Sequence, residues 1–144
     1  MQPVLQAKAK SKTTDSTRGL LGWGSVVVGT HFLVVLWHVF LLVKVQPGFP
    51  ALAIVALLLV NLVPIAGVAA FAKGARRLAA VAIVIPLGTG LIIGGYSHFL
   101  TSGADNVFRM PGGGLTLSFQ VSAVLLAILE ALGCWLGVRM YRRH

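Results

Sequence analysis

Apolar residues run nearly unbroken through four stretches of the chain, at about 21–43, 51–72, 78–99 and 117–138. A helix needs about 20 mainly apolar residues to cross the hydrocarbon core of a bilayer, and each stretch meets that length. The polar breaks between them are brief. QPGFP at 46–50 has the residues of a Pro/Gly turn, and KGARR at 73–77 those of a tight basic loop. The third connection, 100–116 with its PGGG, is longer. This pattern predicts an all-α, polytopic membrane protein: a compact bundle of four transmembrane helices joined by short loops.

The first apolar run follows a polar, basic segment, the arrangement of a secretory signal. It is longer than a signal core of about 7–15 residues and lacks a small-residue cleavage site, so it reads as an uncleaved first span. Residues 1–19, rich in Lys, Ser and Thr, offer little to bury and are expected to form a disordered basic tail. Residues 20–139 make the transmembrane domain, and 140–144 a short second basic tail.

Composition agrees. Hydrophobic residues make up 57% of the 144 and charged ones 10%, against about 25% charged in an ordinary soluble domain. Mean hydropathy is +0.90. A net charge of +9 would suit nucleic acid, but the basic residues sit at the ends of apolar runs rather than in one patch, which argues against that partner. Lys8, Lys10, Lys12, Arg18, Lys73, Arg76, Arg77, Arg139, Arg142 and Arg143 fall on one side of the bundle, and only Lys44 and Arg109 on the other. By the positive-inside rule, ten against two predicts an inner (plasma) membrane protein with both termini cytoplasmic. Trp23, Trp135 and Tyr141 then lie near the inner interface, and Phe49, Tyr96, Phe99 and Phe108 near the outer one.

Within lipid, helices associate through close backbone approach and interhelical hydrogen bonds. Small residues four apart occur in every span: Ser25/Gly29, Ala66/Ala70, Gly90/Gly94 and Gly133/Gly137. Pro64 and Pro86 each remove a backbone donor, free the carbonyl four residues back (Val60 and Ala82) and are expected to kink their helices. In the long loop, Ser102-Gly-Ala-Asp105 resembles a capping box, with Asp105 and Arg109 spaced to pair over a small interfacial lid.

Ionisable groups inside a membrane are costly and mark functional candidates. The stretch THFLVVLWHVFLLVK at 30–44 carries two, His31 and His38. Asn61 and Glu130 join them at depth, while Tyr96, His98 and Gln120 form a candidate cluster nearer the outer rim. His31 lies thirteen residues before Lys44, and Glu130 thirteen residues after Leu117. At about 1.5 Å rise per residue, both sit about 20 Å below the outer boundary. Asn61 is slightly shallower, so the three are expected in one polar layer. Glu130 continues a stripe of small residues, Ala123, Ala127, Cys134 and Gly137, and so faces a neighbouring helix. His31 and Glu130 are therefore expected to form a buried polar pair, suited either to a proton relay or to a static tie.

Haem or copper ligation is a further option. His31 and His38 share one helix about 10 Å apart and cannot both bind one iron. His38 and His98 lie on different helices, but their depths differ by roughly 8 Å on the same arithmetic. A metal site of His38, His98 and Met110 is an alternative. The single cysteine, Cys134, excludes an internal disulfide. No phosphate loop or metal-hydrolase motif is present, and Ser25, Ser97, Ser118 and Ser122 have no evident His–acid partners, so nothing points to an enzyme.

Three functional readings follow. The first is a non-enzymatic accessory subunit, assembling with itself or within a larger membrane complex. The second is a proton-coupled transporter or channel subunit using Glu130 and His31. The third is a redox module with haem or a metal on its histidines.

Overall fold

The computed structural model describes residues 2–103, 106–110 and 112–142, with the side chains of the first helix from Thr17 onward. Its elements are α1 (Gln2–Val45), α2 (Ala51–Ala72), α3 (Arg76–Gly95) continued by a π-helical turn (Tyr96–Leu100), and α4 (Gly114–Arg142). Among the described residues, four helices are long and apolar enough to cross a membrane. The apolar runs thus give the four expected spans. α1 also continues back to Gln2, through the segment whose composition predicts disorder, where Gln, Ala, Leu and Lys are good helix formers.

The connections follow from local chemistry. Pro47 and Gly48 occupy the centre of a turn closed by Phe49 N–H donating to the Gln46 carbonyl (3.2 Å), and the positive φ of Gly48 (104°) is what that turn requires. α2 ends at Gly74 (φ 83°): its N–H donates to the Phe71 carbonyl and Ala75 N–H to that of Ala70, each at 2.9 Å. That pair of bonds is a Schellman stop, which satisfies carbonyls otherwise orphaned at a helix end. α2 and α3 run continuously through Pro64 and Pro86.

The helices form a ring in which each packs on its sequence neighbours and α1 closes against α4. Two apolar clusters hold it. One, at the end carrying the chain termini, joins Leu20, Val27, Phe71, Ala79, Ile83, Leu87, Leu136 and Met140. The other, at the long-loop end, joins Leu41, Leu42, Val107, Phe119 and Ala123. Large apolar side chains such as Trp23, Leu33, Leu52, Ile92 and Leu100 point outward, the arrangement of a multi-pass protein whose solvent is hydrocarbon.

Close approaches only partly follow the expected small pairs. α3 and α4 meet where Gly133 lies on Leu87 and Gly137 on Val84 and Ile83. α2 and α3 meet at Gly67, where an added Cβ would lie 3.1 Å from the Ala79 carbonyl oxygen, and Ala70 packs against the same termini-end cluster. α1 meets α4 at Gly24, against Met140, rather than at Ser25/Gly29. A Cβ added at Gly94 would meet no other helix among the described residues; its nearest neighbour would be His98 in the following turn. The spacing identifies small residues, but helix rotation decides which one faces a partner.

The long loop is ordered by amide chemistry. Val107 N–H donates to the His98 carbonyl (2.9 Å), Gln120 Nε2 donates to the Val107 carbonyl, and Phe108 N–H donates to Asn106 Oδ1 (2.9 Å). The expected Asp105–Arg109 pair and its capping box involve Asp105, outside the described residues.

Substituting Gly67 by Leu is expected to push α2 off α3 and destabilise the purified protein by about 1–3 kcal/mol. Gly22→Leu, which meets open space, is expected to change little. Detergent-resistance and thermal-unfolding curves of the two variants check this, and equal curves would contradict it.

Candidate functional site

α1 and α4 are antiparallel neighbours, and their register fixes two polar pairings. The deeper joins His31 and Glu130, with Nε2 and Oε1 3.6 Å apart. This is the expected pair, brought together as the depth arithmetic requires. His31 is 1% exposed and Glu130 12%. The separation lies within ion-pair reach but beyond a hydrogen bond, and among the described residues neither His31 nitrogen has a hydrogen-bond partner. The same oxygen, Oε1, also rests against Gly90 of α3, where an added methyl group would collide with it. Gly90 is therefore the notch that lets the carboxylate lie between helices.

Asn61 does not bridge helices. Its Nδ2 donates to the Leu57 carbonyl of its own helix (2.7 Å), the carbonyl one turn back that is always in reach. It still shares a cavity with Glu130.

The shallower pairing joins His38 and Ser122, with Nδ1 and Oγ 2.8 Å apart. The Ser122 hydroxyl donates its one proton to the Phe119 carbonyl (2.8 Å). His38 Nδ1 must then be the donor to Oγ, which leaves a lone pair on Nε2. Ser122 is wholly buried with its proton committed to backbone, so it is a partner that orients His38 and not a nucleophile. Its distance from Leu117, five residues, nearly equals the six from His38 to Lys44, so the arithmetic that found Glu130 would also have found it.

His98 comes closer than expected. Its ring centroid lies 5.0 Å from that of His38, edge to face at 72°, and both rings pack on Phe119. His98 sits in a π-helical turn. Thr101 N–H reaches back five residues to the Tyr96 carbonyl (3.0 Å), and such a wider turn advances less along the axis and rotates the residues it carries. The estimated depth difference between His38 and His98 does not keep their rings apart. The other two members of the expected rim cluster stay apart. Tyr96 is 61% exposed on the outside of the bundle, and Gln120 is engaged by the loop carbonyl of Val107. Met110 packs beside the Leu41–Phe119 cluster. Among the described residues no three His, Cys, Asp or Glu side chains are grouped as metal ligands.

A cavity of about 470 Å³ connects these groups. It extends from Glu130, Gly90 and Asn61 to His38, His98, Phe49 and Phe99, with apolar walls that include Leu57, Val60, Ile93 and Leu126. It exists because α2 is held only at its other half: the buried residues of that helix are Pro64, Gly67 and Phe71. A second depression of about 440 Å³, lined by Ser25, Gly29 and Val68, lies between α1 and α2 toward the termini.

Long-range ¹⁵N–¹H correlation spectra are expected to show His38 protonated at Nδ1, and Ser122→Ala to lose that preference. An Nε2–H signal for His38 would contradict the assignment. Compared with known proteins, the chain matches no family model, no curated protein and no solved structure.

Proposed function

We propose that this chain is an inner-membrane protein with both termini cytoplasmic, and that it passes protons through its bundle by way of Glu130 and His31. It would serve as a proton-conducting or proton-coupled transport subunit. One observation carries this reading: a fully buried imidazole, with no hydrogen bond among the described residues, faces a carboxylate that lines a cavity. A buried polar group left unbonded costs about 2–7 kcal/mol, and a purely structural tie would close that gap. A pair that transfers a proton instead needs the two groups near each other and one of them in contact with an access route. The cavity is that route from the long-loop end, and His38 and His98 line it.

A second reading keeps the chain as an accessory or self-assembling subunit with a static His31–Glu130 tie. The seat of the carboxylate against Gly90 favours it, because that is a tight packing contact. The two readings part on Glu130→Gln, which preserves shape but cannot exchange a proton.

In proteoliposomes with an imposed potassium diffusion potential and an internal pH dye, the wild-type protein is expected to admit protons faster than empty liposomes. Glu130→Gln should lower that rate by about tenfold or more. Gly90→Ala should lower it less, by displacing the carboxylate. Flux equal to empty liposomes would overturn the proposal, and full flux in Glu130→Gln would show that this carboxylate is not on the path.

A further inference from the structure

We infer that the cavity above Glu130 is a binding site for a monovalent organic cation with an apolar body, held by Glu130 in exchange for the proton shared with His31. This rests on the proton-exchange reading of that pair and names the ligand class the same site takes.

The first argument is size. A volume of about 470 Å³ far exceeds what a proton or a bare metal ion needs and falls among pockets of about 300–1,000 Å³ that enclose small organic molecules. The second is the polarity of what the walls leave unused. Glu130 is acceptor-only when ionised and is the one acidic side chain lining the cavity among the described residues. Asn61 gives its Nδ2 to Leu57, leaving Oδ1. His38 gives its Nδ1 proton to Ser122, leaving the Nε2 lone pair. Thr89, Ser97 and His98 also line the cavity, but the polar atoms left over on Glu130, Asn61 and His38 are acceptors, set among Leu57, Val60, Ile93 and Leu126. Such a chamber suits a guest that brings N–H donors, one positive charge and a hydrophobic remainder.

The third argument is charge balance. In a low-dielectric site, a lone carboxylate compensates one positive charge, and a second is left costly and unpaired. That one charge is the proton His31 and Glu130 share, or it is the guest. When the guest cation enters, the proton leaves to water: one positive charge in, one out. His31, with no hydrogen bond among the described residues, has only the facing carboxylate to retain that proton.

The test uses full-length protein in zwitterionic-lipid nanodiscs, with empty nanodiscs as blank. Benzylguanidinium is the probe, because guanidinium stays protonated at any working pH and every proton released must come from the protein. Its neutral isostere, benzylurea, is the control. Saturable binding of benzylguanidinium is expected, with benzylurea weaker by about tenfold or more. A weakly buffered sample should release about one proton per cation bound. Glu130→Gln should lose both binding and release, and Glu130→Asp should retain part of each, with unchanged helical circular dichroism showing that both variants fold. Equal affinity for benzylurea, unchanged binding in Glu130→Gln, or binding without proton release would overturn the inference. Proton flux in proteoliposomes with no cation binding would remove this inference alone, whereas absence of flux would remove the reading beneath it.

Discussion

One carboxylate and one imidazole face each other across 3.6 Å inside a bundle otherwise built from apolar side chains. Glu130 is one of three acidic residues in the whole chain, and burial inside a membrane is the most expensive place to keep it. Much of the local architecture accommodates it. α4 presents Ala123, Ala127, Cys134 and Gly137 along the same stripe, so neighbours approach closely without bulk. α3 offers Gly90 where the carboxylate lies. The termini-end and long-loop-end clusters sit on either side of the pair and fix the register that brings α1 to α4.

The ring of helices is unevenly tightened. α3 and α4 interlock through Gly133 and Gly137, and α2 packs on α3 through Gly67. Beyond Gly67, toward the long loop, α2 buries no residue fully except Pro64, and the cavity opens along that half. Along that half Leu57 and Val60 line the chamber, while Leu52 and Leu59 face outward. Stability is concentrated at the end bearing the termini, and space is left where the polar groups lie.

Four spans were legible because a bilayer-length apolar run has few other uses. The His31–Glu130 pair was legible because antiparallel helices of known rise convert residue counts into depth. That arithmetic failed for His98, because it places backbone levels and not rings, and the two rings meet at 5.0 Å across the helices. Ser122 matches His38 in depth, so the same residue count pairs them, although a hydroxyl carries no charge to mark it. Tyr96 and Gln120 share the level of the rim histidines but not their direction, because level follows from counting and direction from helix rotation. Asn61 lies near the level of the pair, but its amide turns to the Leu57 carbonyl of its own helix, a local bond that depth counting does not register. The cavity had no sequence signal at all, being a property of how α2 leans on α3.

The central claim is that Glu130 gains and loses a proton while the bundle stays folded. Infrared difference spectra recorded between acidic and alkaline buffer report a protonated carboxyl group directly through its C=O stretch. The account predicts a reversible band from a carboxyl in an apolar setting, absent in Glu130→Gln and shifted in His31→Gln. A wild-type spectrum with no band attributable to Glu130 across the range in which the protein remains folded would contradict it.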